Sequence, residues 1–315
     1  MILKTLSAFY LSLLLISSNA LAECTESSQW GAEDTLGSAN LVTSQRTLEA
    51  AKLIKLGKSM PLGIAIGPNT PALPPRSLSL QIVQPNQQGG QKLSGFGFEG
   101  NYNDDILQTW IGIGSQLDGL GHMGENGKYY NCLDEKEIGS ITGLTKLGTH
   151  AVPPLVGRAV ILDMAAQAGV KVMQAGQHFG PAEIKAAAKA QGVTMAEGDI
   201  ILFHTGWTEG KLESEPASWG SVEPGLNNAG AAYIASLNPM AVGADTWGLE
   251  PVPAPAGDKA FYGHVIFLKQ HGIYILETMN VGPLLREGVN EFMFVLGQPR
   301  IIGTVQAMIN PVALY

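Results

Sequence analysis

The chain has 315 residues, of which 45% are hydrophobic and 15% charged, and its formal net charge is -8. This length and apolar content suit one large buried core or two small ones. The excess of acidic residues argues against nucleic acid as a partner, because proteins that bind it carry basic patches. It also argues against an anionic membrane surface.

The N-terminus has the pattern of a secretory signal peptide. Lys4 precedes an apolar run from Leu6 to Ile16, and Ala20-Leu21-Ala22 is typical of a cleavage site. The run is shorter than the roughly 20 apolar residues that a membrane-spanning helix needs. We therefore expect residues 1–22 to be removed and residues 23–315 to be exported, to the periplasm or outside the cell, as one domain.

The sequence contains only two cysteines, Cys24 and Cys132. In an oxidising compartment they could form a disulfide, and two unpaired buried thiols are the alternative. A lipid anchor on Cys24 is disfavoured, because Glu23 is a charged residue where a lipid-attachment site needs a small one.

The spacing of apolar residues predicts helices and strands that alternate through the middle of the chain. Predicted helices cover 44–56, 181–190, 226–237 and 263–270. Predicted strands cover 78–83, 159–163, 200–203, 241–243 and 273–276, with two or three more from Phe292 onward, a polar loop at 84–91 and an irregular strand at 110–117. This alternation indicates the α/β class.

The segment from Gly114 to Gly124 concentrates polar side chains between glycines. Gln116 and Asp118 would point to the same face of an extended segment, and His122 follows them closely. Such a group suits a divalent cation, with His122 completing the ligands or acting as a base. The alternative is a polar loop in which Asp118 accepts hydrogen bonds from backbone amides. Spacing alone leaves both open.

A second segment runs from His264 to Glu277. His264 lies in a predicted apolar helix, and Glu277 ends the apolar strand that follows it. A buried carboxylate is strongly destabilising unless it is paired or bound to metal. The two residues therefore either bind a metal ion or form a structural hydrogen-bonded pair.

Four further side chains are candidates for a substrate pocket. His204 follows the predicted strand 200–203, and strand ends in α/β folds often face sites. Trp207, Trp247 and Phe98 could form an aromatic wall, or they could lie in the hydrophobic core. The sequence has no GxSxG elbow, no GxGxxG between a predicted strand and a predicted helix, no GxxxxGK[ST] and no HExxH, which disfavours serine hydrolases, nucleotide cofactors and zincins.

The two segments together resemble the cyclase family, which includes kynurenine formamidases and isatin hydrolases. Gly114–Gly124 is similar to TQWDGxxHxG, a form of the family signature HxGTHxDxPxH that longer members carry. His264–Glu277 is similar to its second segment, a His followed by an apolar stretch and a strand ending in Glu. Further matches occur, in the family's order, at Trp30–Leu41, Gly157–Asp163, Gly198–Trp207 and Gly243–Trp247.

The resemblance implies a swivelling β/β/α fold and one divalent metal ion, Mn²⁺ or Zn²⁺. It gives ligand positions to Asp118, His264 and Glu277. His122 falls on the last His of the motif, the usual proton-transferring base.

The sequence departs from the family pattern at two positions of the first motif. Gly112 replaces the first His and Gln116 the second. Gly112 has no ligand atom in its side chain, whereas Gln116 offers an amide oxygen, which suits manganese better than zinc. We therefore predict Gln116 as the fourth ligand of a single metal ion; a hydrogen bond from Gln116 to water is the alternative.

The function implied is metal-dependent hydrolysis of an amide, formamide or lactam bond in a small molecule, with His122 as general base. The resemblance also implies a homo-oligomer, a dimer or tetramer. Two alternatives stay open: a cyclase or lyase that uses the same metal site, and an exported binding protein without catalysis.

Overall fold

The structure is a computed structural model that describes residue 24 and residues 27–83, 91–92, 95, 97–98 and 100–315. Its strands in chain order are β1 (Ser59–Pro61), β2 (Leu78–Val83), β3 (Gln91–Lys92), β4 (Asn101–Tyr102), β5 (Asp104–Thr109), β6 (Gln116–Asp118), β7 (Gly139–Ser140), β8 (Gly143–Leu144), β9 (Leu155–Asp163), β10 (His178–Phe179), β11 (Ile200–His204), β12 (Gly225–Leu226), β13 (Ala241–Ala244), β14 (Tyr274–Glu277), β15 (Glu291–Leu296), β16 (Gln306–Met308) and β17 (Val312–Leu314). Its helices are α1 (Ser44–Ala51), α2 (Glu135–Ile138), α3 (Met164–Gln167), α4 (Pro181–Gln191), α5 (Trp207–Lys211), α6 (Pro216–Trp219), α7 (Asn228–Ala235), α8 (Tyr262–His264) and α9 (Gly282–Arg286). Short 3-10 helices lie at Gly37–Leu41, Tyr130–Cys132 and Thr149–Ala151, and a π-helical segment lies at Val265–His271.

A mixed sheet forms the centre of the molecule. Within the described residues, nine strands join it in the order β1-β17-β15-β9-β11-β13-β14-β6-β16. The middle strands β9, β11, β13 and β14 run parallel, and antiparallel strands extend the sheet on both sides. The four parallel strands are apolar and largely buried, as expected for strands that are covered on both faces.

Helices join and cover the parallel strands. Helix α1 packs against β9 and β15, α4 packs against β9 and α7, and α7 packs against the π-helical segment. Strands thus alternate with helices from β9 to β14. This confirms the predicted α/β class.

Most predicted elements are present with small changes of length. Strand 78–83 and helix 181–190 are present as β2 and α4, and β15, β16 and β17 are the strands expected after Phe292. The helix predicted over 44–56 ends earlier, at Ala51. Only the end of the predicted strand 110–117 is a strand, because β6 begins at Gln116. The polar loop predicted at 84–91 lies outside the described residues except for residue 91, which begins β3.

The helix predicted at 263–270 has an unexpected form. Helix α8 continues directly into the π-helical segment, which ends at Gly272 in a left-handed conformation with φ 64°. Only glycine fits there, because a Cβ would lie 2.3 Å from the ring of Tyr130. Single π-helical turns inside helices occur frequently at functional sites.

Strands β2 and β5 form a separate two-stranded ribbon. Leu80 pairs with Leu107 across it, and these side chains are 49% and 48% exposed. Ile82 lies on the same face as Leu80 and is also exposed. The strand predicted at 78–83 is therefore real, but its apolar side chains do not reach the core.

A disulfide joins Cys24 to Cys132, whose Cα atoms are 5.7 Å apart, which decides between the two alternatives that the sequence left open. Next to it, the side-chain amide of Asn131 donates to the carbonyls of Gly31, Ala32 and Asp34. The N-terminal segment is thereby tied to the middle of the chain. The predicted signal peptide, residues 1–22, lies outside the described residues, and among those described no helix is long and apolar enough to cross a membrane.

Candidate metal centre

Three neighbouring strands bring the polar residues of the two motifs together. Strand β6 carries Gln116 and Asp118, and its antiparallel pairing with β14 places Glu277 opposite Gln116. On the other side of β6, strand β16 places Gln306 opposite Asp118. All four side chains are buried. The strand pairing therefore concentrates two carboxylates and two amides inside the protein.

His264 completes a group that we call the His264 cluster, made of Asp118, His264 and Glu277. The imidazole Nε2 lies 3.2 Å from Glu277 Oε1 and 3.6 Å from Asp118 Oδ2. One ligand atom from each of the three residues lies within 4.8 Å of the other two. One imidazole and two carboxylates at this spacing are a ligand set for a divalent cation.

Glu250 fixes the orientation of His264. Its Oε1 accepts hydrogen bonds from the His264 backbone N–H and from Nδ1, at 2.9 and 2.7 Å, and its Oε2 accepts one from the Gly263 N–H. Because Nδ1 is engaged by Glu250, Nε2 is the nitrogen directed at Asp118 and Glu277. A carboxylate on the far nitrogen of a ligating His is the usual support of a metal site. No motif in the sequence marks Glu250.

Two amide side chains donate to the carboxylates, and one of them, Gln116, bridges both. Gln116 Nε2 donates to Glu277 Oε2 at 2.6 Å and to Asp118 Oδ1 at 3.1 Å, and Gln306 Nε2 donates to Asp118 Oδ1 at 2.7 Å. The nitrogen of Gln116, which cannot bind a cation, thus faces the two carboxylates in this arrangement. The predicted ligand role of Gln116 would require its oxygen there instead, and stays a prediction.

Burial and the neighbouring charges shift the pKa of each residue of the His264 cluster. Burial raises the pKa of Asp118, but the neighbouring His122 and His264 outweigh it and hold the pKa at about 2. Burial and the Asp118 charge raise the pKa of Glu277 to about 8. Burial lowers the pKa of His264, but its carboxylate partners raise it well above its ordinary value.

One oxygen of the cluster is left without a partner. Asp118 is fully buried, yet its Oδ2 has no hydrogen bond from any described residue. A buried carboxylate oxygen in this state is costly unless a cation neutralises it. The residues present therefore fit a divalent metal ion, which would bind this oxygen and stabilise the charged form of Glu277.

His122 lies beside the cluster and partly reaches solvent. Its Nε2 is 3.9 Å from Asp118 Oδ2, and its side chain is 20% exposed. Burial lowers the pKa of His122, and the Asp118 charge offsets only part of this effect. The lowered pKa favours the neutral imidazole, which can accept a proton as the predicted base must.

Two adjoining cavities lead to the His264 cluster. The inner one has a volume of about 140 Å³, and its walls include Gln116, His122, His264 and Glu277. The outer one is a cleft of about 660 Å³, with walls from the β2/β5 ribbon, from the loop after β5 and from Gln306. Arg76 and His122 line both cavities, so they lie where the two join.

The predicted pocket residues differ in whether they line a cavity. Trp247 lines the inner cavity with Phe261, and their ring centroids are 6.2 Å apart. Trp207 is buried, with its indole N–H directed at the carbonyl of Trp219, and it lines neither cavity. Phe98 is exposed and is not among the described wall residues.

His204 belongs to a different part of the sheet. Its Nδ1 lies 2.9 Å from Asp163 Oδ1, and it lines neither cavity. Of the four predicted pocket residues, only Trp247 thus lies beside the His264 cluster.

The departure from the family pattern at Gly112 has a structural counterpart. Arg76 Nη1 donates to the Gly112 carbonyl at 2.7 Å, and a Cβ on Gly112 would lie 2.8 Å from that nitrogen. It would also lie 3.0 Å from both polar atoms of the Gln306 amide. Arg76 and Gln306 thus occupy the space that a side chain at position 112 would need.

Comparisons with known proteins agree with this architecture. The cyclase family model matches residues 60–251. A crystal structure described as a novel cyclase is 28% identical, with a TM-score of 0.80 over 91% of this chain and 96% of its own. Two isatin hydrolases, each 16% identical, share the fold. The enzyme from Ralstonia solanacearum has a TM-score of 0.63 over 86% of this chain and 97% of its own. One bound to the product analogue thioisatinate has a TM-score of 0.61 over 87% and 99%.

No curated protein sequence matches the chain. The family model nevertheless covers more than half of the chain, including the first motif, and the fold of the family's solved members extends to the second. The chain belongs to the cyclase family.

Proposed function

We propose that this protein is a metal-dependent hydrolase that cleaves an amide, formamide or lactam bond in a small molecule. The observation that carries the proposal is the convergence of Asp118, His264 and Glu277 at a cavity that His122 also lines. Membership in the cyclase family supports it, and so does the fold shared with isatin hydrolases.

Each residue has a separate role in this proposal. Asp118, His264 and Glu277 hold the ion, and Glu250 keeps the His264 ring in position. When bound, a divalent ion polarises a carbonyl and makes water more acidic. His122 accepts the proton of the attacking water at a ring nitrogen and donates it to the leaving nitrogen. Hydrolysis then yields a carboxylic acid and an amine.

We propose a single ion for each chain. Among the described His, Cys, Asp and Glu residues, one group of three has the required spacing. Gly112 offers no side-chain ligand at the position where the family has its first His. Two carboxylates and one imidazole form a hard ligand set, which favours manganese over zinc. Elemental analysis of protein purified without added metal tests both number and element, and two equivalents per chain would refute the single-ion proposal.

The reaction class can be tested with a small panel of substrates. N-formylkynurenine, isatin and simple anilides should be offered to the protein as purified, after chelation, and after return of Mn²⁺ or Zn²⁺. Hydrolysis of at least one compound, lost on chelation and restored by metal, is the expected result. Ring closure or elimination instead of hydrolysis would indicate the cyclase or lyase alternative. Tight metal binding without turnover of any substrate would contradict the proposal.

We also propose that the protein forms a homo-oligomer through the β2/β5 ribbon. Leu80, Ile82 and Leu107 form an apolar face that no described part of the chain covers. A two-stranded ribbon is marginally stable alone, so a second copy over this face would stabilise it. Light scattering should give at least a dimer for the native protein, and Leu80→Asp should shift it toward monomer. A monomeric native protein would contradict this proposal.

Export is the last part of the proposed function. The disulfide between Cys24 and Cys132 supports an oxidising compartment such as the periplasm or the cell exterior. Mass spectrometry of the exported protein should show a chain that begins at Glu23. Retention of the N-terminal residues, or a lipid on Cys24, would contradict the predicted cleavage.

A further inference from the structure

Arg76 lies at the junction of the two cavities, and no carboxylate of the described residues pairs with it. Its side chain is half-buried, and among the described residues its one hydrogen bond is the 2.7 Å contact from Nη1 to the Gly112 carbonyl. No described Asp or Glu oxygen lies within 4.0 Å of its guanidinium. A guanidinium is always charged and has five N–H donors, so most of its donors remain available.

The backbone on both sides of Arg76 is fixed. The Arg76 N–H donates to the Leu73 carbonyl, and the next residue, Ser77, accepts a hydrogen bond from the Trp110 N–H. The Gly112 carbonyl then holds one guanidinium nitrogen in place. Arg76 is thus positioned before any ligand binds, which reduces the entropy lost when a ligand pairs with it.

The surroundings of Arg76 define the chemistry of a ligand. Arg76 lines the inner cavity together with Gln116 and His264, so its positive charge lies beside that cavity. On the other walls, Leu73, Met123, Trp247 and Phe261 present apolar or aromatic surface. A ligand that complements both the Arg76 charge and these apolar walls has an apolar or aromatic body and an anionic group.

We infer that Arg76 recognises a carboxylate that the substrate already carries, separate from the carbonyl that is cleaved. The substrate class is then an acidic amide, formamide or lactam with an aromatic or apolar body. Arg76 is the specificity-determining residue, because carboxylates pair with a guanidinium through two parallel hydrogen bonds. The substrate class inferred here rests on the proposed hydrolase function. The binding of an anion by Arg76 does not depend on that function.

Direct binding tests the anion site without turnover. Benzoate and benzamide differ in charge but little in shape, and calorimetry on the metal-loaded protein gives a Kd for each. We expect benzoate to bind at least about 10-fold more tightly, and Arg76→Gln to weaken benzoate by about 10- to 100-fold while benzamide changes little. Arg76→Lys, which keeps the charge but not the planar fork, should lose less. Arg46→Gln, which removes a guanidinium from a surface ion pair with Glu197, is the matched control and should change neither.

A second variant reaches the same site without changing Arg76. In Gly112→Ala the new methyl group would lie 2.8 Å from Arg76 Nη1, so the guanidinium must leave the position that it has in the native protein. Benzoate binding should weaken and benzamide binding should not. Thermal unfolding of each variant checks that the fold is kept.

Kinetics separate a substrate carboxylate from the reacting carbonyl. N-formylanthranilate and formanilide are both formamides of an aniline and differ by one carboxylate. Arg76→Gln should raise KM for N-formylanthranilate about 10- to 100-fold and leave KM for formanilide nearly unchanged.

An equal rise in KM for both substrates would place Arg76 at the reacting carbonyl and overturn the inference. So would equal binding of benzoate and benzamide by the native protein, or benzoate binding that is unchanged in Arg76→Gln. If neither formamide is cleaved by any variant, the hydrolase proposal fails, and calorimetry still decides the anion site.

Discussion

His264 and His204 each have a buried or partly buried carboxylate beside Nδ1. They differ in the groups that lie near Nε2. Glu250 lies 2.7 Å from His264 Nδ1, and Asp163 lies 2.9 Å from His204 Nδ1. Beyond the ring, His264 Nε2 faces two carboxylates of the His264 cluster. The nearest carboxylate oxygen that faces His204 Nε2 is on Glu209, 4.0 Å away.

The carboxylates around His204 also accept hydrogen bonds from other groups. We call Asp163, His204 and Asp245 the His204 group. Asp245 Oδ1 accepts hydrogen bonds from the N–H and the hydroxyl of Thr205, which fix the turn after β11. Asp163 accepts one from the Ala166 N–H and caps α3. Within the described residues, the ligand atoms of this group do not converge as those of the His264 cluster do. A His–carboxylate pair therefore indicates a metal site only when further unpaired ligands converge on the second nitrogen.

Removal of a carboxylate should distinguish the two groups most strongly. Asp118→Ala or Glu277→Ala should remove the metal and lower turnover by more than about 10³-fold, because each removes a charge that holds the dication. Asp163→Ala is the matched change in the His204 group, and it should keep the metal. Metal content by elemental analysis and turnover under the same conditions measure both effects. Full metal content in Asp118→Ala would exclude that residue as a ligand.

His122 tests whether the base is separate from the ligands. His122→Ala should keep its metal and lose turnover by about 10²- to 10⁴-fold, because the proton transfer is lost but the His264 cluster is intact. His178, an exposed histidine on β10, provides the control, since His178→Ala should change neither quantity. Loss of the metal in His122→Ala would instead make His122 a ligand.

Glu250 and Asp163 have the same relation to their histidines, which allows a direct comparison. Glu250→Gln should weaken metal affinity by about 10- to 100-fold, because the His264 ring loses its orientation and basicity. Asp163→Asn changes the corresponding acid and should leave the affinity unaltered. Competition with a fluorescent chelator measures both. An unchanged affinity in Glu250→Gln would show that the fold alone positions His264.

The sequence predicted the middle of the sheet well, because parallel strands are short apolar runs and the helices between them carry clear ends. Pro181 and Gly192 bound α4 in this way. The exposed β2/β5 ribbon could not be placed, since Leu80 and Ile82 alternate as they would in a half-buried strand. The π-helical segment could not be predicted either, since it has the same apolar residues as an α-helix.

The candidate site was predictable where its residues lie in two contiguous motifs. Asp118, His264 and Glu277 were identified in this way, together with the neighbouring His122. Glu250, Gln306 and Arg76 reach the site only through the fold, from strands and loops distant in sequence, and no local pattern marks them. For the same reason, His204 and Trp207 were predicted beside a pocket that the structure places elsewhere.

The smallest effect concerns the pH dependence of stability in the His204 group. Burial lowers the pKa of His204, but the hydrogen bond to Asp163 and the charges of Asp245 and Glu209 outweigh it and raise the pKa above 6.5. Because the folded state binds the proton more tightly, the stabilisation is complete below the unfolded pKa near 6.5. It is lost as the pH rises through the higher folded value.

Denaturant unfolding at a series of pH values measures this contribution. The native protein should exceed His204→Asn in free energy of unfolding by about 1–2 kcal/mol near pH 6, a charged hydrogen bond being worth about 1.5–3 kcal/mol. The difference should shrink as the pH rises toward 9, because the folded state progressively loses the proton that it binds more tightly. Asp163→Asn removes the partner and should give a similar pH profile. A difference that stays constant from pH 6 to 9, or grows, would show that the pair is not held by the charge of the imidazolium. His204 would then stabilise the sheet through packing alone. It would differ in charge as well as in geometry from His264, whose carboxylate partners bind a metal ion in our proposal.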